Sequence, residues 1–230
     1  MGNGGGLDMG EGADAPYLQM LDDIQSAISY LQSHAGIYHI NPEKIALMGH
    51  SAGGHLALLY AYKAAKCAGC TYNDICPNVN LPEDVYCDKH KVSPAIPIEL
   101  VISEAGPTYF VSNIFNELPS SAVNEILAMA GTTRNDSNLD TKLTNASPYT
   151  YANSSHLVDT ILVYCDDYDT FGSNGDRFVK YSQCETLKSR LENNYTEYEA
   201  STEHTNFGTL IDDSQYLMLL SSAFSTLKTN

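Results

Sequence analysis

Hydrophobic positions along this chain switch between two spacings, and the switching predicts the architecture. Tyr17, Leu21, Ile24, Ile28 and Leu31 recur every three or four positions, which places them on one face of a helix over 17–31. Short apolar runs of strand length follow at 44–48 (Lys44-Ile45-Ala46-Leu47-Met48), 98–103 and 160–165, and 195–200 alternates as a fourth strand. Helical stretches are predicted over 52–66, 121–130, 180–193 and 213–227. Residues 1–15 read as a glycine-rich, acidic loop, 67–95 as irregular, and the stretch from 131 to Ser155 as a polar loop. Strands that alternate with helices in this way imply an α/β fold, a mostly parallel sheet covered on both faces. No internal repeat and no linker divides the 230 residues, so they read as one domain (1–230) with an insertion at about 67–95.

Chemistry enters at the junction of the first strand and its helix. Gly49-His50-Ser51-Ala52-Gly53-Gly54 stands between an apolar run and an Ala- and Leu-rich helical stretch. Strand, Gly-x-Ser-x-Gly, helix is the context of a nucleophile elbow. A serine on so sharp a turn holds strained dihedrals, so the positions two before and two after it are expected to carry no bulk. The turn lifts the Ser51 hydroxyl to the sheet edge at a helix N-terminus, and the Ala52 N–H is left to face a developing oxyanion.

From Leu21-Asp22-Asp23-Ile24 through Asn41-Pro42 to the Gly-His-Ser-Ala-Gly-Gly run, the chain resembles the serine esterases of the α/β-hydrolase superfamily, in particular the carboxylesterase and acetylxylan or feruloyl esterase-like group. Ser103-Glu104-Ala105-Gly106-Pro107, Ala146-Ser147-Pro148 and His204-Thr205-Asn206-Phe207 resemble the later pieces of the same group, and the likeness runs over roughly 16–227. It implies a Ser, acid, His order. A free serine hydroxyl is a weak nucleophile, and His204, in a short polar segment between a strand and the last helix, is the expected base. Asp176-Arg177-Phe178-Val179-Lys180-Tyr181-Ser182-Gln183 resembles the group's Asp-x-x-Val-Pro-Tyr-Ser-Gln with lysine in place of proline, which implies Asp176 as the acid; Asp169 is the alternative. His50 and His55 flank the nucleophile with backbone positions that point them away from its hydroxyl.

The resemblance implies hydrolysis of carboxylic esters, short-chain or carbohydrate-linked, through an acyl-enzyme and with no cofactor or metal. Two other readings share the elbow: a serine peptidase of the prolyl-oligopeptidase type, and a catalytically weak remnant that serves as a binding module. In the resembling esterases a His-Gly-Gly-Gly-type loop lies several dozen residues upstream and donates a second oxyanion N–H. Gly4-Gly5-Gly6 is too close to the first helix for that role. The chain therefore reads as an α/β-hydrolase fold that lacks the first strands, with an exposed sheet edge that self-association would cover.

Composition narrows the partners. A formal net charge of −16 argues against nucleic acid and anionic membrane surfaces, and the apolar runs are too short for a membrane span. The partner expected is a small ester substrate. Met1-Gly2-Asn3-Gly4-Gly5-Gly6 has the form of neither a signal peptide nor a myristoylation site. Cys67, Cys70, Cys76 and Cys87 fit two disulfides or, with His90, a zinc site. Together with sequons at Asn135, Asn145, Asn153 and Asn194 they favour a secreted protein. Cys165 and Cys184 are expected in the core or unpaired.

Overall fold

In the computed structural model, which describes residues 15–68, 98–152, 158–165, 178–200 and 204–229, one sheet organises the chain. Its strands are β1 (Ile45–His50), β2 (Ile98–Glu104), β3 (Asp159–Cys165) and β4 (Tyr195–Ala200), in the order β1-β2-β3-β4, with every neighbouring pair parallel. Parallel neighbours need crossover connections, and these carry the helices. They are α1 (Pro16–Ser33), α2 (Ala35–Tyr38), α3 (Ala52–Ala68), α4 (Ser120–Met129), α5 (Leu139–Asn145), α6 (Pro148–Tyr151), α7 (Tyr181–Leu191) and α8 (Ser214–Thr229). Helices cover both faces, as the hydrophobic pattern predicts.

The larger core lies on one face. There α1, α3 and α7 pack over Val101 and Leu162, and Leu58, Leu59, Tyr60, Ala61 and Tyr62 of α3 are almost wholly buried. A helix apolar around most of its circumference belongs between other elements, and each fully buried leucine contributes about 1.5–3 kcal/mol. The two tyrosines place their hydroxyls on partners: Tyr60 donates to Gln25 Oε1 at 2.7 Å, and Tyr62 pairs with Thr160 Oγ1 at 3.0 Å. On the opposite face α8 covers Leu100, Ile102, Ile161 and Val163. Lys44 Nζ donates to the Leu227 carbonyl and fastens the end of that helix beside the start of β1.

The stretch read as one polar loop contains α5 and α6. The apolar anchors of α5 are Leu139 and the fully buried Leu143. Ser147 then links the two short helices to the region after β2, since its hydroxyl accepts the Phe110 N–H at 2.9 Å and donates to the Leu143 carbonyl at 2.8 Å. Cys165 and Cys184 are both buried, and burial pushes the Cys184 thiol up to about 12, so it stays protonated. Cys70, Cys76, Cys87 and His90, along with residues 1–14, lie outside the described residues. No helix among the described residues is long and apolar enough to cross a membrane.

Candidate active site

Because all strands run the same way, their C-terminal ends share one edge of the sheet, and the candidate residues leave from it. Ser51 follows β1 directly. β3 ends at Cys165, just before the stretch that holds Asp169 and Asp176, and β4 ends at Ala200, shortly before His204. His204 opens a 3-10 segment, His204–Asp212, that leads into α8. Asp169 and Asp176 fall outside the described residues.

Ser51 carries the conformation expected of a nucleophile elbow. Its φ is +54°, in the left-handed region that costs a non-glycine residue of the order of 1–3 kcal/mol. The surroundings hold it there. Its N–H donates to the Glu104 carbonyl of β2 at 2.7 Å, and its own carbonyl accepts the His55 N–H at 3.0 Å to begin α3. The strand–serine–helix junction is therefore clamped from both sides. Ala52, the first residue of α3, is exposed, and an N–H at that position has no acceptor within the helix.

Glycine is needed close to the serine, although not where spacing alone suggests. A Cβ on Gly49 would come within 2.3 Å of the Gly53 carbonyl carbon, and one on Gly54 within 2.8 Å of the Gly49 oxygen. Gly53 has open space where a Cβ would stand, so the expectation of crowding two positions after Ser51 is corrected. The tight packing is between the turn and the end of β2. A Cβ on Gly106 would lie 2.3 Å from Ser103 Oγ and 2.7 Å from the Gly54 carbonyl carbon. Ala105 beside it also has positive φ, +48°, and its N–H donates to the Val163 carbonyl at 2.7 Å.

Two further groups sit behind the nucleophile. His55 is buried on the first turn of α3, where its Nδ1–H donates to the Pro107 carbonyl at 2.9 Å and its ring lies 5.0 Å from that of Phe110. Burial lowers its pKa to about 4, against the raising effect of the Pro107 carbonyl, so the ring is neutral at pH 7. With Nδ1 on Pro107 and Nε2 without a hydrogen-bond partner among the described residues, the ring makes no bond to the serine hydroxyl. Glu104, the last residue of β2, is buried and its Oε1 accepts the Tyr216 hydroxyl at 2.5 Å. Burial first, and then the neighbouring Glu104 carboxylate, holds the Tyr216 phenol above its usual range, which keeps it a donor.

The start of α7 is also tied down. Gln183 Oε1 accepts the N–H groups of Thr108 at 2.9 Å and Tyr109 at 3.2 Å, and Thr108 Oγ1 donates to the Gln183 carbonyl at 2.6 Å. The first turn of α7 is thereby joined to the loop after β2. Sequence reading marked Gln183 and Glu104 only as parts of motifs, set His55 aside as pointing away from the serine, and passed over Tyr216. Their partners lie 52 to 112 positions away, and no local pattern announces them.

A parallel sheet covered on both faces, with a strained serine between strand and helix at its C-terminal edge, is the arrangement of the α/β-hydrolase class. The model of the BD-FAE family matches residues 11–191, and the chain belongs to that family. Solved structures agree on the fold. A truncated carbohydrate esterase from gut microbiota aligns with a TM-score of 0.60 at 20% identity, over 91% of this chain and 68% of its own. Thermogutta terrifontis esterase 2, phosphonylated by sarin, aligns at 0.57 and 16% identity, over 93% of this chain and 67% of its own. A bifunctional GH43-CE protein of Bacteroides eggerthii aligns at 0.61 and 20% identity, over 90% of this chain and 25% of its own. The chain thus spans about two thirds of the length of the first two. No curated protein matches it.

Proposed function

We propose that this chain hydrolyses carboxylic esters through a Ser51–His204–Asp176 triad. The observation that carries the reading is the left-handed Ser51 held at the β1–α3 junction by the Glu104 carbonyl. Ser51 Oγ attacks the ester carbonyl carbon while His204 takes the hydroxyl proton, and the Ala52 N–H donates to the oxyanion. Collapse of the tetrahedral intermediate breaks the C–O bond, and His204 returns the proton to the departing alcohol. Water, deprotonated by His204, then attacks the acyl-serine; the bond from the acyl carbon to Ser51 Oγ breaks, His204 returns the proton to Ser51 Oγ, and the acid leaves. Asp176 orients His204 and stabilises its charged form, and the scheme uses no metal or organic cofactor.

Short-chain or carbohydrate-linked acyl esters are the proposed substrates, a choice supported by the carbohydrate esterase among the structural relatives. Self-association that covers β1, which pairs only with β2 among the described residues, belongs to the same proposal. Hydrolysis of p-nitrophenyl acetate and butyrate tests the chemistry. Ser51→Ala and His204→Ala should each lose at least about a thousandfold in turnover, and the double variant should be no slower than either. Asp176→Asn should fall strongly while Asp169→Asn changes little, and the reverse result would move the acid to Asp169. Cleavage of peptide bonds in place of esters would favour the peptidase reading, and no turnover above background would favour a binding module.

A further inference from the structure

We propose that Glu104 and Tyr216 are a positioning pair, which locks the nucleophile turn to the helix behind the base segment and so keeps Ser51 and His204 aligned. The inference rests on the esterase reading above. Glu104 makes two bonds in two directions. Its backbone carbonyl accepts the Ser51 N–H at 2.7 Å, and its carboxylate accepts the phenol of Tyr216, 112 positions further along, at 2.5 Å. With Glu104 9% exposed and Tyr216 3%, water competes little for either bond.

The far partner is itself fixed. Tyr216 lies in the first turn of α8, where Asp213 Oδ1 accepts the N–H groups of Gln215 at 2.9 Å and Tyr216 at 3.2 Å. Asp213 Oδ2 accepts the Tyr198 hydroxyl of β4 at 2.6 Å, and the rings of Tyr198 and Tyr216 are 5.3 Å apart. The Tyr198 hydroxyl, foremost, and these N–H groups hold the Asp213 carboxyl below the usual carboxylate range. The start of α8 is therefore bonded to β2 through Glu104 and to β4 through Tyr198. His204–Asp212 runs straight into it, with Leu210 buried in the same cluster as Tyr216. A shift of Tyr216 would shift the segment that begins at His204.

Packing alone does not call for a carboxylate here. Leu100 and Ile102 precede Glu104 on the same face of β2, and both lie in the apolar cluster under α8. A third aliphatic side chain would continue that surface, and a buried carboxylate is costly unless bonded. Across the sheet, Glu104 stands in register between His50 of β1 and Val163 of β3, in the row next to the catalytic edge. A directional bond between rigid elements at that place transmits position more sharply than apolar contact, and a misplacement of about 1 Å costs on the order of a hundredfold in rate.

The test compares full-length variants on p-nitrophenyl butyrate, with fluorophosphonate labelling of Ser51 as a second readout and circular dichroism to confirm folding. Tyr216→Phe removes one oxygen and keeps the ring. Tyr216→Phe and Glu104→Leu should lower kcat about ten- to a hundredfold with KM within about twofold, and slow labelling in parallel. Glu104→Gln, whose amide oxygen still accepts the phenol, should restore most of that loss, and adding it to Tyr216→Phe should cost nothing further. Wild-type kcat in Tyr216→Phe, even with a lowered melting temperature, would overturn the pair while leaving the esterase reading intact. Glu104→Gln as slow as Glu104→Leu would overturn it too. A wild-type chain that neither turns over ester nor takes up the label would overturn the esterase reading, and this inference with it.

Discussion

Acidification should destabilise this protein through His55, and the size of the effect follows from where that ring sits. Its Nδ1–H is bonded to Pro107, its Nε2 has no hydrogen-bond partner among the described residues, and the side chain is 1% exposed. Burial sets the native pKa at about 4 against 6.5 for an ordinary histidine. Below pH 6.5 the unfolded chain takes up a proton that the native chain refuses until about pH 4, so stability falls with pH through that window and stays lost below it. The gap of 6.5 − 4 = 2.5 units corresponds to about 3 kcal/mol at about 1.36 kcal/mol per unit. That is a large part of the stability of a typical domain. Urea unfolding at pH 7, 6, 5 and 4.5 on wild type and His55→Asn isolates the effect from the carboxylates, which titrate in both. His55→Asn should start less stable at pH 7 and lose about 2–3 kcal/mol less than wild type on the way down. Parallel curves would show that His55 charges as easily in the fold as in the unfolded chain, and would refute the reasoning.

The remaining predictions concern the elbow and the sheet edge. Gly49→Ala must push a methyl group into the Gly53 backbone, so it should cost at least about 1–3 kcal/mol and abolish phosphonate labelling; a soluble variant with wild-type melting temperature would contradict the geometry. Gly53→Ala meets no atom, and by helix propensity its melting temperature should hold or rise, by at most about 1 kcal/mol of stability. If self-association covers β1, where Met48 is 48% exposed, light scattering at micromolar concentration should give a dimer or a larger closed oligomer, and a stable active monomer would dismiss it.

The types of the main elements were legible because each carries its period openly. β2 runs one residue beyond its apolar stretch, since a glutamate reads as the end of a strand until a tyrosine from α8 is seen to meet it. α5 was hidden because Leu139 and Leu143 are its only apolar residues and their periodicity spans a single turn. The strained turn at Ser51 was legible because it forces small neighbours into a short stretch of sequence. Long-range packing decides which glycines are crowded: Gly106 is as tightly placed as Gly49, but its constraint comes from Gly54 and Ser103. His55 shows the same limit. Histidine reads as polar in a sequence, and its burial here is made by Pro107 and Phe110, which arrive from the far side of β2.

The clamp on Ser51 also bears on how the chain comes to be armed. Each neighbouring pair of strands is parallel, so every pairing closes a long stretch of chain before any ladder bond repays the lost entropy. The acceptor that holds Ser51 belongs to β2, more than fifty residues downstream of the serine. While β1 and α3 are made but β2 is not docked, only the His55 N–H on the Ser51 carbonyl is in place, and the half of the clamp that holds the Ser51 N–H is missing. On the mechanism proposed above, a nascent or half-folded chain would carry the serine in a turn held from one side only, and its full reactivity would arrive with the docking of β2.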